Sequence, residues 1–555
     1  MKTWKTNLEE TKQRYINWWN HKGIILSMWE HFQEGVKPHA DIAPPAPARD
    51  LSQKWFDPQW RAEYLDWYVA HSSLMADMLP VANTQLGPGS LAAILGGVFE
   101  GGEDTIWIHP DPNFNDEIVF NPEHPNWLLH KELLKACKAK ANGNYFVGMP
   151  DLMEGLDVLA ALKGTDMVLL DTVMQPEVLE QQMQQINDIY FKVFDELYDI
   201  IREGDEMAFC YFSSWAPGKM SKLQSDISTM ISQDDYRRFV QPFIREQCQK
   251  IDYTLYHLDG VGAMHHLPAL LEIEELNAIQ WTPGVGEPQG GSPKWYDLYK
   301  KILAGGKSVM ACWVTLEELK PLLDHIGADG VHLEMDFHNE REVEQAMRII
   351  EEYTGSSSSV SADVHTNQPV GEQDNAQESI RIREEKSQEE DRMKPLYDAI
   401  VAGKLEPAVE VTKDAIAAGV LPQDIINGYM ITAMGEVGQR FQDGKAFVPQ
   451  LLMAGRAMKG ALELLKPLLA GNASATIGKI VIGTVKGDLH DIGKNLVASM
   501  LEGCGFEVIN IGIDVTCDKF VEAVKENKAD ILCMSALLTT CLLYTSDAAD
   551  DLIGV

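Results

Sequence analysis

The stretch Thr354–Arg392, TGSSSSVSADVHTNQPVGEQDNAQESIRIREEKSQEEDR, contains no aromatic residue and is dominated by serine, amide and acidic side chains. Such a segment cannot bury enough apolar surface to offset its ordering entropy. It rules out one continuous core, so folding must happen separately on its two sides. Residues 354–392 therefore read as a flexible linker whose last part joins the next helix. The length of 555 residues agrees, since about two to four domains are expected of it.

Residues 1–353 alternate short apolar runs with amphipathic stretches. GDEMAFCYF reads as a strand and QDDYRRFVQPFIREQCQKI as a helix; YTLYHLDG is a strand and AMHHLPALLEI a helix. NAIQWTPG, KSVMACW and GVHLEM are further strands, separated by the helices WYDLYKKILAGG and LEELKPLLDHIG. This alternation predicts an α/β domain with parallel strands, and the size suits a (β/α)8 barrel. Function in such folds sits at the C-terminal ends of the strands. That singles out Tyr211, Phe212, His257, Asp259, Trp281, Cys312, His332 and Glu334.

Beyond the linker the period changes. Residues 393–472 carry three amphipathic runs punctuated by Gly or Pro, which predicts a small helical bundle with Met430, Met434, Met453 and Met458 as core filler. From Lys479 the order becomes strand, loop, helix, strand, helix, strand, a doubly wound unit over 473–540. The loop after its first strand is GTVKGDLHDIGKNLV, Gly483–Val497. That loop usually cradles phosphate. Here Asp488 and Asp491 would repel phosphate. A neutral imidazole at His490, backed by a carboxylate, suits a metal instead.

At this point the chain resembles the cobalamin-binding module of methionine synthases and corrinoid methyltransferases. The D-x-H-x-x-G motif stands as Asp488, His490 and Gly493. The S-x-L motif stands as Ser535, Ala536 and Leu537, followed by Thr539, and MGEVGQRFQDGKAFVPQLLMAGRAM is similar to the family's helical cap. The resemblance implies cobalamin as cofactor, with His490 as lower ligand of cobalt and Asp488 hydrogen-bonded behind it. The cofactor's displaced base would lie near Ser535, Leu537 and Thr539. Cap residues near Phe447 and Leu451 would shield the upper face. Asp491 reads separately, as an acid favourable at a helix N-terminus.

The first 353 residues resemble, more distantly, the uroporphyrinogen decarboxylase superfamily, through SDISTMISQDDYRRFVQPFIREQ and YHLDG. Its methyltransferase branch often carries H-x-C-G and a later cysteine, which together hold zinc. Here the tetrad is His257, Leu258, Asp259, Gly260, and GVHLEMDF has no cysteine. A harder zinc site of His257 with Asp259 or Glu334 remains open, as does a polar mouth that holds substrate by hydrogen bonds. Asp226, in SDIS, is either a functional acid or the cap of the turn that follows. The stretch WWNHKGIILSMWEHFQEG lacks arginine, which argues against decarboxylation of a polycarboxylate. Trp18, Trp19, Trp29, Trp107, Trp215 and Trp281 are core residues or walls for a methylated cation or an aromatic methyl ether.

The net charge of −36 argues against nucleic acid and anionic membrane as partners. The start has no apolar signal region, no run is long enough to span a membrane, and the eight cysteines form no C-x-x-C pair. A reduced cytoplasm is expected. The end, CLLYTSDAADDLIGV, Cys541–Val555, does not continue the doubly wound pattern, so the sheet is expected to be incomplete and this tail non-native.

Taken together the resemblances imply a fused corrinoid methyltransferase similar in architecture to the chloromethane-utilising enzymes. It would move methyl groups between a small methylated donor, bound cobalamin and a thiol or folate acceptor, and would need a corrinoid reactivation protein. The alternatives are a corrinoid-binding carrier or a sensor with an inert barrel.

Overall fold

A computed structural model describes residues 4–102, 105–111, 114–153, 155–284, 286–354, 386–469, 478–486, 492–503 and 506–536. The chain divides into two compact units, Met1–Ser358 and Ser359–Val555. No helix among the described residues is long and apolar enough to cross a membrane.

The strands of the first unit are β1 (Ile24–Ser27), β2 (Val81–Ala82), β3 (Val98–Gly101), β4 (Ile106–His109), β5 (Phe146–Met149), β6 (Met207–Phe209), β7 (Ser214–Ala216), β8 (Met220–Leu223), β9 (Tyr253–Asp259), β10 (Ala278–Thr282), β11 (Ser308–Val314) and β12 (Val331–Met335). Six of them form one fully parallel sheet in the order β1-β12-β11-β10-β9-β8. Nearly every residue of β1, β9, β10 and β12 is buried, as expected of strands covered on both faces. A second sheet runs β2-β5-β6-β7, with β7 antiparallel, and β3 and β4 make a hairpin.

The expected closed eight-stranded barrel is not found; the ladder among the described residues stays open in two places. At β1 the free edge is taken by Asp77, whose N–H donates to Leu26 O (2.9 Å) and whose carboxylate accepts from Leu26 N (3.0 Å). A side chain thus occupies a ladder position where a strand would pair. Between β6 and β8 the backbone makes the β6–β7 hairpin instead, and Met220 N–H donates to Met207 Sδ (3.2 Å). The architecture is mixed α/β with two parallel-rich sheets.

In the second unit the helices Lys386–Val401, Leu405–Ala417, Ile431–Gln442 and Val448–Leu469 form the predicted bundle. The first begins inside the segment read as linker. Gly403 and Gly419, at φ 68° and 80°, end their helices in the left-handed conformation that glycine adopts freely. Met430, Met434 and Met458 are buried in the bundle core with Leu396, Ile400 and Leu465, as packing filler should be. Three parallel strands follow: β13 (Lys479–Thr484), β14 (Glu507–Asn510) and β15 (Ile531–Ser535), in the order β14-β13-β15. Helix Ile492–Gly503 docks against helix Val448–Leu469, with Lys459 Nζ to Glu502 Oε2 at 2.8 Å.

Candidate functional site

The end of β9 presents His257 and Asp259, two residues apart and so on one face of the strand. β10 lies in register beside it, with Gln280 opposite His257 and Thr282 opposite Asp259. Beyond β8 the chain continues through Gln224 to Asp226. One ligand-type atom from each of Asp226, His257 and Asp259 lies within 4.8 Å of the others. The three residues expected to carry catalysis therefore converge, although they come from two different strand ends.

Their neighbours hold them in place. Gln280 Nε2 donates to Thr282 Oγ1 (2.7 Å) and Cys312 Sγ (2.9 Å), which turns its Oε1 toward His257 Nδ1. That contact makes Nδ1 the donor and leaves Nε2 with its lone pair. Burial, with the Lys222 charge as second cause, lowers the His257 pKa to about 3, so the ring is neutral and able to ligate. Asp157 accepts the N–H groups of Asp226 (2.8 Å) and Ile227 (3.0 Å), fixing the turn Asp226–Met230. The Asp226 side chain does not cap that turn. It accepts from Gln224 Nε2 at 3.2 Å. Lys222 Nζ bonds Asp151 Oδ2 (2.5 Å) and Gln224 Oε1.

Four carboxylates, Asp151, Asp157, Asp226 and Asp259, thus share one ammonium, Lys222. Burial first, and then the Asp157 charge, pushes the Asp226 carboxyl up, and burial also raises Asp157 and Asp259. Asp226 itself remains exposed to solvent. A bound cation would relieve this excess of negative charge. The donor set, one neutral imidazole and two carboxylates, fits a divalent ion of the zinc class.

The Tyr211 ring lies beneath Lys222 Nζ at 4.4 Å and 6.1 Å from the His257 ring. Phe212 and Ser213 follow at φ 58° and 43°, a conformation non-glycine residues rarely hold and one that marks functional turns. Tyr211 also lines a cavity of about 670 Å³ with Trp29, Trp55, Trp60, Tyr64 and Tyr68. The carboxylates themselves do not line that cavity; Tyr211 is the wall the two spaces share.

The remaining candidates lie elsewhere. Glu334, expected beside His257, instead accepts from Cys312 Sγ at 3.2 Å and is absent from the three-residue cluster. His332 is wholly buried against Tyr15 and Trp18 and bonds Ser27 Oγ (2.6 Å), a packing role. Trp18, Trp19, Trp215 and Trp281 are core residues, Trp107 is half-buried, and only Trp29 of the six reaches the cavity. Lys222 and Gln224 were missed in the sequence. Their signal was the alternation Lys222, Gln224, Asp226, polar residues at every second position running out of the end of β8.

In the second unit the order β14-β13-β15 places the topological switch point between β13 and β15, where ligands of doubly wound sheets bind. Thr484 and Ser535 pair there, and Val485 N–H donates to Ser535 O (3.0 Å). Asp488, His490, Asp491, Leu537 and Thr539 lie outside the described residues, as does the tail from Cys541. Gly493 falls within helix Ile492–Gly503. Leu451 is buried in the bundle core, while Phe447 is half-buried and its N–H donates to Gln450 Oε1 (2.8 Å).

Residues 393–466 and 478–553 each match a family model described as a B12 binding domain. The second match runs past Cys541 into the tail that the sequence pattern sets apart. Trimethylamine corrinoid protein 1 of Methanosarcina mazei is 45% identical over 148 residues, which cover 26% of this chain and 68% of that protein. The dimethylamine corrinoid protein of Methanosarcina barkeri is 43% identical over 154 residues, 28% of this chain and 72% of that protein. Among solved structures, the methanol:cobalamin methyltransferase complex MtaBC from Methanosarcina barkeri is 32% identical, covering 30% of this chain and 63% of that chain at a TM-score of 0.27. The chain belongs to the family of corrinoid proteins built on B12 binding domains, and cobalamin is its cofactor.

Proposed function

We propose that this chain is a cobalamin-dependent methyltransferase in which the first unit, of the uroporphyrinogen decarboxylase type, performs transfer and the second carries the cofactor. It moves a methyl group between a small methylated donor and a thiol or folate acceptor, and a corrinoid reactivation protein is its further partner. The observation that carries this reading is the cluster of Asp226, His257 and Asp259 at the strand ends of a unit joined in one chain to B12 binding domains. Bound cobalamin supplies a cobalt centre that accepts and gives up methyl groups.

The chain's own residues then have distinct tasks. His490 would ligate the cobalt with Asp488 as its orienting partner, and Asp491 and Gly493 would belong to the same cofactor-binding set. Ser535, Leu537 and Thr539 would border the bound cofactor, and Phe447 would help to keep water from it. In the first unit His257, through Nε2, and the carboxylates of Asp226 and Asp259 would hold a zinc-class ion, which would activate the group that gives or takes the methyl. Gln280 fixes the imidazole tautomer, and Lys222 keeps the crowded acids from repelling one another outright.

The test is anaerobic reconstitution with cobalamin and zinc. The chain should transfer methyl from a donor, and His490→Ala should change the visible spectrum. His257→Ala should lose bound zinc while keeping the corrinoid spectrum. Asp259→Cys should retain zinc, because thiolate is the softer and stronger ligand. Corrinoid binding with no transfer from any donor would reject the enzyme reading, and zinc content indifferent to His257→Ala would reject the metal site.

A further inference from the structure

The aromatic cavity of the first unit contains a cation that the site described above does not use. Arg61 is buried, 7% exposed, on the helix Pro58–His71 and lines the cavity. Its guanidinium donates to the carbonyls of Gln85 (2.9 Å) and Asn83 (3.2 Å), which use two of five N–H donors. No carboxylate forms an ion pair with it among the described residues. The groups that favour its charge are Cys137, Cys210 and Tyr64, and burial raises both thiols, Cys137 to about 12. Both thiols are neutral near pH 7, so among the described residues the buried guanidinium has no counter-charge. Such an arrangement is costly unless something else pairs with it.

Two further polar atoms of the cavity-lining residues are buried without a partner, His31 Nε2 and Trp29 Nε1. Burial lowers the His31 pKa to about 4, so it adds no charge. Among the described residues Glu30 is the one acid on the wall, against Arg61 and Lys54. Both cations already lie over the Trp55 ring, at 5.3 and 5.2 Å. A methylated cation entering here would find that aromatic face engaged and would meet like charge. An anion with a flat apolar body would not.

We propose that this cavity binds an aromatic carboxylate, with the ring between Trp29, Trp60 and Tyr64 and the carboxylate on Arg61. The proposal rests on the methyltransferase reading, and it assigns the methyl donor to methoxylated aromatic acids. Tyr211, shared with the carboxylate cluster, marks the end of the cavity toward which the methoxy group points.

Binding to the full chain, without cobalamin, is measured by tryptophan fluorescence and calorimetry with 4-methoxybenzoate, methoxybenzene and phenyltrimethylammonium. 4-Methoxybenzoate should bind at least about tenfold more tightly than either of the others. Arg61→Lys should weaken 4-methoxybenzoate about tenfold and leave methoxybenzene unchanged, because lysine keeps the charge but loses the planar fork. Phenyltrimethylammonium binding as tightly as 4-methoxybenzoate overturns the proposal. So does 4-methoxybenzoate affinity that is unmoved in a folded Arg61→Lys chain. Should that variant melt early, the ranking of the three probes on the unaltered chain still decides. An enzyme that takes methyl from a different donor would fail here yet pass the turnover assay, so failure of this proposal is distinguishable from failure of the proposed function.

Discussion

His257 on β9 and Glu334 on β12 are separated in the sheet by β10 and β11, yet burial acts on both against the charged form, lowering the histidine to about 3 and raising the carboxyl from 4.5 to about 7. For Glu334 this has a consequence for stability. The native state holds its proton more tightly than the unfolded chain between pH 4.5 and 7, so the stabilisation is full below pH 4.5 and is lost as pH rises to about 7. The loss is on the order of 1–3 kcal/mol. Glu334→Gln cannot ionise, so it should gain stability relative to the unaltered chain from pH 5 to pH ~7.5 and then level off. Denaturant unfolding followed by tryptophan fluorescence at each pH measures this; a difference that stays flat would show that the carboxyl is already ionised in the native state. At this scale His257 and Asp259 were legible in the sequence because an i, i+2 pair shares a strand face. Asp226 as their partner in place of Glu334 was not, because which strand ends converge depends on the ladder.

The strand β13 shows how an element constrains a site that lies beyond it. Gly483 is paired with Met534 of β15, and a Cβ there would come within 2.8 Å of Ile511 and 2.9 Å of the Phe520 ring. Phe520 is wholly buried on the helix Cys517–Asn527, so that helix lies close on the sheet because this position has no side chain. Gly483→Val should lower the stability of the second unit by about 1–3 kcal/mol through overpacking. It should also reduce the cobalt bound per chain, since β13 precedes the sequence segment that contains His490. Thermal unfolding and metal analysis test this, and an unchanged melting point would mean that Phe520 moves aside at no cost. Most elements were legible because strands covered on both faces read as continuous apolar runs flanked by amphipathic helices. The exceptions have local causes. The helix expected over 233–251 breaks at Val240, before Pro242, and β2 is only two residues long. The Asp77 side chain replaces a ladder partner at β1, a substitution no periodicity reveals.

Across the whole molecule, the chain divides into two compact units at Ser358 and Ser359, a position within the polar stretch 354–392. The cofactor was legible for a different reason: a few residue types in fixed spacing after one strand carry the chemistry, whatever the surrounding packing. The aromatic cavity was not legible. Trp55, Trp60, Arg61, Tyr64 and Tyr68 come from the short helix Leu51–Phe56 and helix Pro58–His71, whose residues show no simple apolar face, and only the fold brings Tyr211 to them. If methyl transfer needs both units, their covalent connection should matter by concentration. Residues 1–353 and 386–555 made as separate chains should each keep their ligand, zinc on the first and cobalamin on the second, because each unit has its own core. Mixed together, they should transfer methyl at a rate proportional to the concentration of the second chain. That rate should match the intact chain only near the effective concentration of a tethered pair, roughly millimolar. At micromolar concentrations the mixture should therefore be slower by about a hundredfold or more. Single-turnover transfer measured across a dilution series is the check. A mixture as fast as the intact chain at micromolar concentration would mean that the units bind one another tightly without the connection. An intact chain whose rate per molecule rises with concentration would mean that the cofactor of one chain serves the first unit of another.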